Sequence, residues 1–260
     1  MKIKGFILDL DGTIYLGDKL VPGAREAVEW MRARARVAFL TNKPIDAPAC
    51  YAEKLTRLGI PTEPDDVLTS VATTVDHLCA KFPGGRFHLV GEEYLRGQLV
   101  QAGMQVAATP GQTELVVLSL DRTLDYGKLH HAYLAAKSGA RVYATNPDLV
   151  CPTDTGDIID AGASIAVIEA LTRRPIDGVF GKPSRAMAGA ARTRTRTLPD
   201  ETIVVGDRVE TDIAMGLEAG MRTALVLSGA TRQGAEERGG YRPDFVVPSI
   251  RELPRVLEEQ

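Results

Sequence analysis

The stretch Ile3-Lys4-Gly5-Phe6-Ile7-Leu8-Asp9-Leu10-Asp11-Gly12-Thr13 decides the fold. A short, largely apolar run, Ile3–Leu8, ends in two acids and a glycine. A run of this length closed by turn residues reads as a buried strand. Such a strand delivers Asp9 and Asp11 to the carboxyl edge of a sheet. That edge, beside a reversal of strand order, is where open α/β sheets hold their ligands. Two carboxylates so close repel each other unless a cation or a shared proton joins them. The stretch therefore calls for something positive, and a hard divalent metal fits best.

Outward from this strand, apolar runs alternate with amphipathic stretches. The pattern predicts strands at Val37–Leu40, Leu115–Leu118, Val142–Ala144, Thr202–Val205 and Thr223–Leu227. It predicts helices at Gly23–Arg34, Ala47–Leu58, Tyr126–Lys137, Ser164–Leu171, Arg185–Arg194 and Thr211–Ala219. Short continuous apolar strands between helices imply a doubly wound, mostly parallel α/β sheet, a Rossmann-like core with right-handed crossovers. Breaker-rich stretches at Lys81-Phe82-Pro83-Gly84-Gly85 and Arg173-Arg174-Pro175-Ile176-Asp177-Gly178 divide the chain. Residues 1–81 and 180–260 are expected to form the core, and residues 82–179 an inserted α/β cap domain.

Composition narrows the function. The 260 residues carry 31 basic and 34 acidic side chains, a net charge of −3, so non-specific nucleic-acid binding has no support. No apolar run approaches the roughly 20 residues that span a bilayer, and Met1–Leu10 ends in acids that a signal peptide would not place there. The three cysteines, Cys50, Cys79 and Cys151, lack metal-ligand spacing and read as reduced thiols. A cytoplasmic protein is expected. The alternation Arg192-Thr193-Arg194-Thr195-Arg196-Thr197 reads as a solvated helix end, its arginines complementing the negative pole of the dipole.

Four segments share the layout of an apolar strand or loop followed by polar residues: Asp9–Thr13, Leu40-Thr41-Asn42, Gly181-Lys182-Pro183-Ser184, and Gly206-Asp207 with Thr211 and Asp212. In a parallel sheet all four meet at one edge. Each alone is ordinary turn or capping chemistry. Together they assemble carboxylates, an ammonium, a hydroxyl and an amide, which suits phosphate chemistry. Asp9 and Asp207 could ligate Mg²⁺, a cation that prefers carboxylate and water oxygens. Lys182 and the metal would neutralise a phosphoryl group. Thr41 and Asn42 could donate to its oxygens, and Thr211 would open a helix whose amides favour anions.

In this combination the chain resembles the haloacid dehalogenase-like hydrolases. The insertion between the second and third motifs is similar to the class IIA cap, found in the NagD-like phosphatases and the p-nitrophenyl phosphatases. Val21-Pro22-Gly23-Ala24 and Ala144-Thr145-Asn146-Pro147-Asp148 also resemble that subgroup. The resemblance implies an Mg²⁺-dependent phosphatase of small phosphorylated metabolites. Asp9 would be the nucleophile that forms an aspartyl-phosphate, and Asp11 the acid and then the base. Asp9, the Asp11 carbonyl, Asp207 and Asp212 would form the metal site. Thr41, Asn42, Lys182 and the turn Arg208-Val209-Glu210-Thr211 would hold the substrate phosphate. Asn146, Asp148 and Asp160-Ala161-Gly162-Ala163-Ser164 either touch the leaving group or are only a turn and a helix entry. Two alternatives share these motifs: a phosphotransferase or mutase, and a non-catalytic phosphometabolite-binding protein. The cap's sheet edge leaves a homo-oligomer open.

Overall fold

A computed structural model describes residues 3–153, 156–234 and 240–259. The chain divides into two compact units: Met1–Thr41, Pro48–Leu68 and Lys182–Gln260 form the first, and Asn42–Ala47 with Thr69–Gly181 the second.

The first unit is built on a six-stranded sheet. Its order is Phe245–Val247, Arg222–Val226, Thr202–Gly206, Gly5–Asp9, Arg36–Thr41, Val67–Thr69. The strand Gly5–Asp9 is central and parallel to both neighbours. The chain leaves it for one side of the sheet and later returns on the other, so strand order reverses here, at the position where such sheets hold ligands. Register then sets the site. Leu8 lies opposite Val205 and Asp9 opposite Leu40. Asp9, Thr41 and Asp207 therefore leave three adjacent strands within two residues of one level.

All five residues of Gly5–Asp9 are buried. Phe6, Leu8, Phe39, Ile203 and Val205 join Ala27, Val28 and Met31 of the helix Ala24–Arg32 in one core. Burial of each large apolar side chain contributes roughly 1.5–3 kcal/mol, so strand ends in this sheet are firmly placed. Ser184 caps the helix Arg185–Thr195 by accepting from the Met187 N–H at 3.2 Å. That helix packs against Gly5–Asp9 and Arg36–Thr41 through a face that buries Met187, Ala188 and Ala191, which holds Lys182 just ahead of it.

The expected solvated alternation at 192–197 divides in two. Arg194 is exposed and gives its guanidinium to the Asp65 carbonyl. Thr195 and Thr197 are instead buried. Their hydroxyls pair at 2.7 Å, and Thr197 meets Thr202 at 2.7 Å. Thr195 and Thr197 are buried because they satisfy one another beneath Gly5, while Thr193 is exposed. A Cβ at Gly5 would lie 2.8 Å from Thr197 Oγ1.

The second unit carries a five-stranded sheet, ordered Gly178–Val179, Arg141–Ala144, Leu115–Leu118, Arg86–Val90, Gln105–Val106, parallel at every pairing. Helices cover both faces. Val116, Leu118 and Val142 pack with Ala132, Ala135 and Ile168 on one side, and Phe87, Leu115 and Val117 pack with Val71, Leu78, Leu95 and Leu99 on the other. Its first boundary differs from the expected residue 82. The helix Ser70–Lys81 belongs to the second unit because Val71 and Leu78 are buried in that unit's core. Phe82–Gly85 is then a turn inside the unit, closed by the Gly85 N–H on the Phe82 carbonyl at 3.0 Å. Among the described residues no helix is long and apolar enough to cross a membrane, and none of Cys50, Cys79 and Cys151 is in a disulfide.

Candidate active site

At the carboxyl edge of the first unit's sheet, Asp9, Asp207 and Asp212 are buried with one ligand oxygen from each within 4.8 Å of the others. Lys182 is 3% exposed. Its Nζ donates to Asp9 Oδ1, and to Asp212 Oδ1 at 2.7 Å. Asp212 Oδ2 accepts the Arg208 N–H at 3.1 Å, so both its oxygens are engaged. Asp207 Oδ2 accepts the Ala230 N–H at 2.6 Å. Thr13 Oγ1 lies 3.4 Å from Asp9 Oδ2 and donates to it. Three carboxylates around one ammonium leave a buried excess of negative charge, which a divalent cation with hard oxygen ligands would offset.

The electrostatics follow from burial. Asp9 is pushed well above the usual carboxylate range by burial first; Asp212 and Asp207 add to this, and Lys182 opposes it. Asp207 rises from 3.8 to about 6, again through burial first and then the Asp212 charge. Lys182 is raised: burial works to lower it, but Asp212 and Asp9 together prevail. The ammonium therefore stays charged, while the carboxylates hold protons more readily than in water.

A carboxyl with a raised folded pKa binds its proton more tightly when folded than when unfolded. In metal-free protein, Asp207 then contributes stability that is full below pH 3.8 and lost as pH rises through about 6. A cation reverses this by favouring the ionised form. Added MgCl₂ is thus expected to raise the melting temperature more at about pH 7.5 than at about pH 5, because protons compete with the metal below about pH 6. Equal shifts in thermal melts at the two pH values would contradict this.

Two glycines let the acid-bearing loops come this close. Gly12 has φ 87°, a left-handed conformation that favours glycine, and a Cβ there would lie 2.7 Å from Asp207 Cγ. A Cβ at Gly229 would lie 2.6 Å from the same atom.

The structure brings Asp9, Asp207, Asp212 and Lys182 together directly. Thr41 is buried at the end of the adjacent strand. Asp11 is half-buried two residues beyond Asp9, and its carboxylate is not among the three clustered ones. Asn42 is counted with the second unit, where its Nδ2 donates to Asp148 Oδ2 at 2.9 Å. Thr211 does not open the helix as expected. The helical turn begins at Val209, with the Ile213 N–H reaching back five residues to the Arg208 carbonyl at 3.3 Å. Such π turns recur at functional sites. Within this turn Val209 packs with Ile213 and Leu225, Thr211 is buried and Glu210 is exposed.

In the second unit, Asn146 is fully buried and its Nδ2 donates to Asp148 Oδ2 at 3.2 Å. Asp160 caps the helix Ala161–Thr172, and the Gly162 N–H donates to the Asp148 carbonyl at 2.8 Å. These contacts are those of a turn and a helix entry.

Sequence reasoning placed Thr13 in the first motif without a role and missed the segment Ser228-Gly229-Ala230-Thr231. The segment follows the strand Arg222–Val226 and so has the same strand-then-small-polar layout as the four motifs. That layout was the available signal.

Comparison with known proteins converges on the same reading. A haloacid dehalogenase-like hydrolase family model matches residues 6–105, and a HAD-hydrolase-like model matches residues 179–253. The sugar-phosphatase AraL of Bacillus subtilis is 38% identical over 98% of this chain and 93% of its own. The 4-nitrophenylphosphatase of Thermotoga maritima superposes with a TM-score of 0.89 at 35% identity, over 98% of this chain and 97% of that one. The glycerol phosphate phosphatase of Mycobacterium tuberculosis, solved with magnesium, gives a TM-score of 0.87 at 28% identity, over 97% of this chain and 76% of that one. With its acids and lysine gathered at one sheet edge and its likeness running nearly end to end, the chain belongs to the haloacid dehalogenase-like hydrolases, in the NagD-like, p-nitrophenyl phosphatase branch.

Proposed function

We propose that this phosphatase hydrolyses small phosphomonoesters through an aspartyl-phosphate on Asp9, with Mg²⁺ as cofactor. One observation carries the reading: Lys182 is shared between Asp9 and Asp212, with Asp207 beside them. A nucleophile held by an ammonium inside an acid cluster suits attack on an anionic phosphorus centre. The name of AraL makes sugar phosphates the first substrates to test. Three cysteines outside any disulfide suit a reducing, cytoplasmic setting.

The donor set fits the cation. Buried carboxylate oxygens within 4.8 Å of one another are the hard ligands that Mg²⁺ takes. Asp9, Asp207 and the Asp11 carbonyl would hold it, with Asp212 orienting the group through Lys182. When bound, the cation offsets charge on the carboxylates and on the phosphoryl oxygens.

The residues divide the remaining work. An Asp9 carboxylate oxygen attacks phosphorus as the bond to the leaving oxygen breaks. Asp11 gives its proton to that oxygen, so the alcohol departs neutral. Asp11 then takes a proton from water, which attacks phosphorus and breaks the bond to Asp9, releasing inorganic phosphate. Lys182 keeps its charge throughout and stabilises the anion at both steps. The Thr41 hydroxyl and the amides of residues 208–211 donate to the phosphoryl oxygens.

The test is phosphate release from a panel of sugar phosphates and p-nitrophenyl phosphate. Turnover is expected with MgCl₂, to vanish with a chelator and to return when the metal is restored. Tight binding of these esters without phosphate release would contradict the reading.

A further inference from the structure

The mechanism leaves the segment after the strand Arg222–Val226 without a task, yet this segment touches both acid loops. The Ser228 hydroxyl donates to the Gly12 carbonyl at 2.7 Å. Two residues on, the Ala230 N–H donates to Asp207 Oδ2 at 2.6 Å, and the Thr231 N–H donates to the Asp207 carbonyl at 3.1 Å. Gly12 is the residue after Asp11, and its left-handed φ of 87° lies in a region that glycine enters freely and other residues rarely do. Its N–H is held by the Tyr15 carbonyl at 2.8 Å, which fixes the Asp11–Gly12 peptide. The Ser228 bond holds the carbonyl of the next peptide, Gly12–Thr13, whose N–H donates to the Leu10 carbonyl at 3.3 Å. With both peptides held, the backbone on the carboxyl side of Asp11 is fixed. Ser228 is the side chain in this arrangement that can be removed without altering either acid.

We infer that Ser228 is a positioning residue for proton transfer by Asp11. It acts through the Gly12 carbonyl and touches neither substrate nor metal. The inference rests on the proposed role of Asp11 as the general acid. Misplacing an acid matters in proportion to how much the leaving oxygen needs a proton. An alkyl phosphate such as glycerol phosphate leaves as a strongly basic alkoxide and needs the proton. p-Nitrophenolate is weakly basic and hardly does.

Leaving-group release in a single turnover precedes the step in which Asp11 acts as base, so it reads the acid role alone. Ser228→Ala is therefore expected to lower that rate at saturating glycerol phosphate by about 10–100-fold. On p-nitrophenyl phosphate it should change that rate by less than about threefold, and the half-saturating concentration by less than about twofold on both, because Lys182 and Thr41 still grip the phosphate. Ser228→Thr keeps the hydroxyl and should restore the alkyl ester to within about threefold of the parent. Ser228→Val matches Thr in shape and should not, so this pair reads the same difference if the alanine variant fails to fold. An equal fall on both esters, or an unchanged rate on glycerol phosphate, overturns the inference. Asp11→Asn serves as the control and should show the same division between esters in single-turnover release of the leaving group. If it slows that release equally from both, the acid role fails and takes the inference with it. If it divides them and Ser228→Ala does not, only the role of Ser228 is lost.

Discussion

Asp9→Asn is expected to lower kcat on p-nitrophenyl phosphate by about four orders of magnitude or more, with the fold intact. Removing the nucleophile of a covalent mechanism removes the pathway, and the residual rate comes only from binding and charge stabilisation. The substitution is nearly isosteric and eases the site electrostatically. It removes one of three buried carboxylates, and Asp9 is the one pushed well above its usual range by burial and by Asp212 and Asp207. Stability in the absence of metal should therefore be equal to or above that of the parent, while activity is lost. Thermal melts and phosphate release on the same sample check both halves. A variant that retains a tenth of the parent activity, by order of magnitude, would refute Asp9 as the nucleophile.

Lys182→Met is expected to damage both activity and fold. The ammonium is in direct contact with both Asp9 and Asp212. Without it two buried carboxylates face each other with that charge gone. Removing one partner of a buried ion pair costs about 3–5 kcal/mol, because the desolvated charge that remains has lost its compensation. The carboxylates would respond by taking up protons, so the instability should be greater at neutral pH than in mild acid. Activity should fall by about 10²–10³-fold even where the protein is folded, the scale seen when one stabilising donor is removed from a developing anion. Denaturant unfolding at two pH values reads the first effect, and turnover at saturating MgCl₂ the second. A variant as stable as the parent at neutral pH would show that the close Lys182–Asp9–Asp212 arrangement carries no such energetic weight.

The core of the site was legible because each chemical group sits at the end of an apolar strand. Strand ends are placed by the hydrophobic pattern. Once Gly5–Asp9, Arg36–Thr41 and Thr202–Gly206 lie parallel and in register, Asp9, Thr41 and Asp207 must converge. Lys182 was legible for a related reason: Ser184 marks the start of the helix whose apolar face seats it.

Other features left no such trace. Ala230 and Thr231 act through backbone N–H groups, which every residue except proline carries, so side-chain type says nothing of their role. The amide of Asn42 meets Asp148, 106 residues away, and no local pattern announces that pairing. The helix Ser70–Lys81 was assigned to the wrong side of a boundary because a breaker marks a turn, not which core the preceding helix enters. Gln105–Val106 and Gly178–Val179 are two-residue strands, too short to show a period of two. The hydroxyls of Thr195 and Thr197 read as part of a solvated face, yet they are buried because they bond each other and Thr202.

The account stands on a phosphoryl group passing through the side chain of Asp9. The most direct measurement uses Asp11→Asn, in which loss of the base slows release of the covalent intermediate, while the weakly basic leaving group still departs. A single turnover of p-nitrophenyl phosphate carrying a radiolabelled phosphoryl group is quenched in acid, and the protein is digested and mapped. The label is predicted on the peptide holding Asp9, bound as an acyl phosphate that hydroxylamine removes. Label on a serine, threonine or histidine, or p-nitrophenol released in a full burst with no label on the protein, would contradict the account.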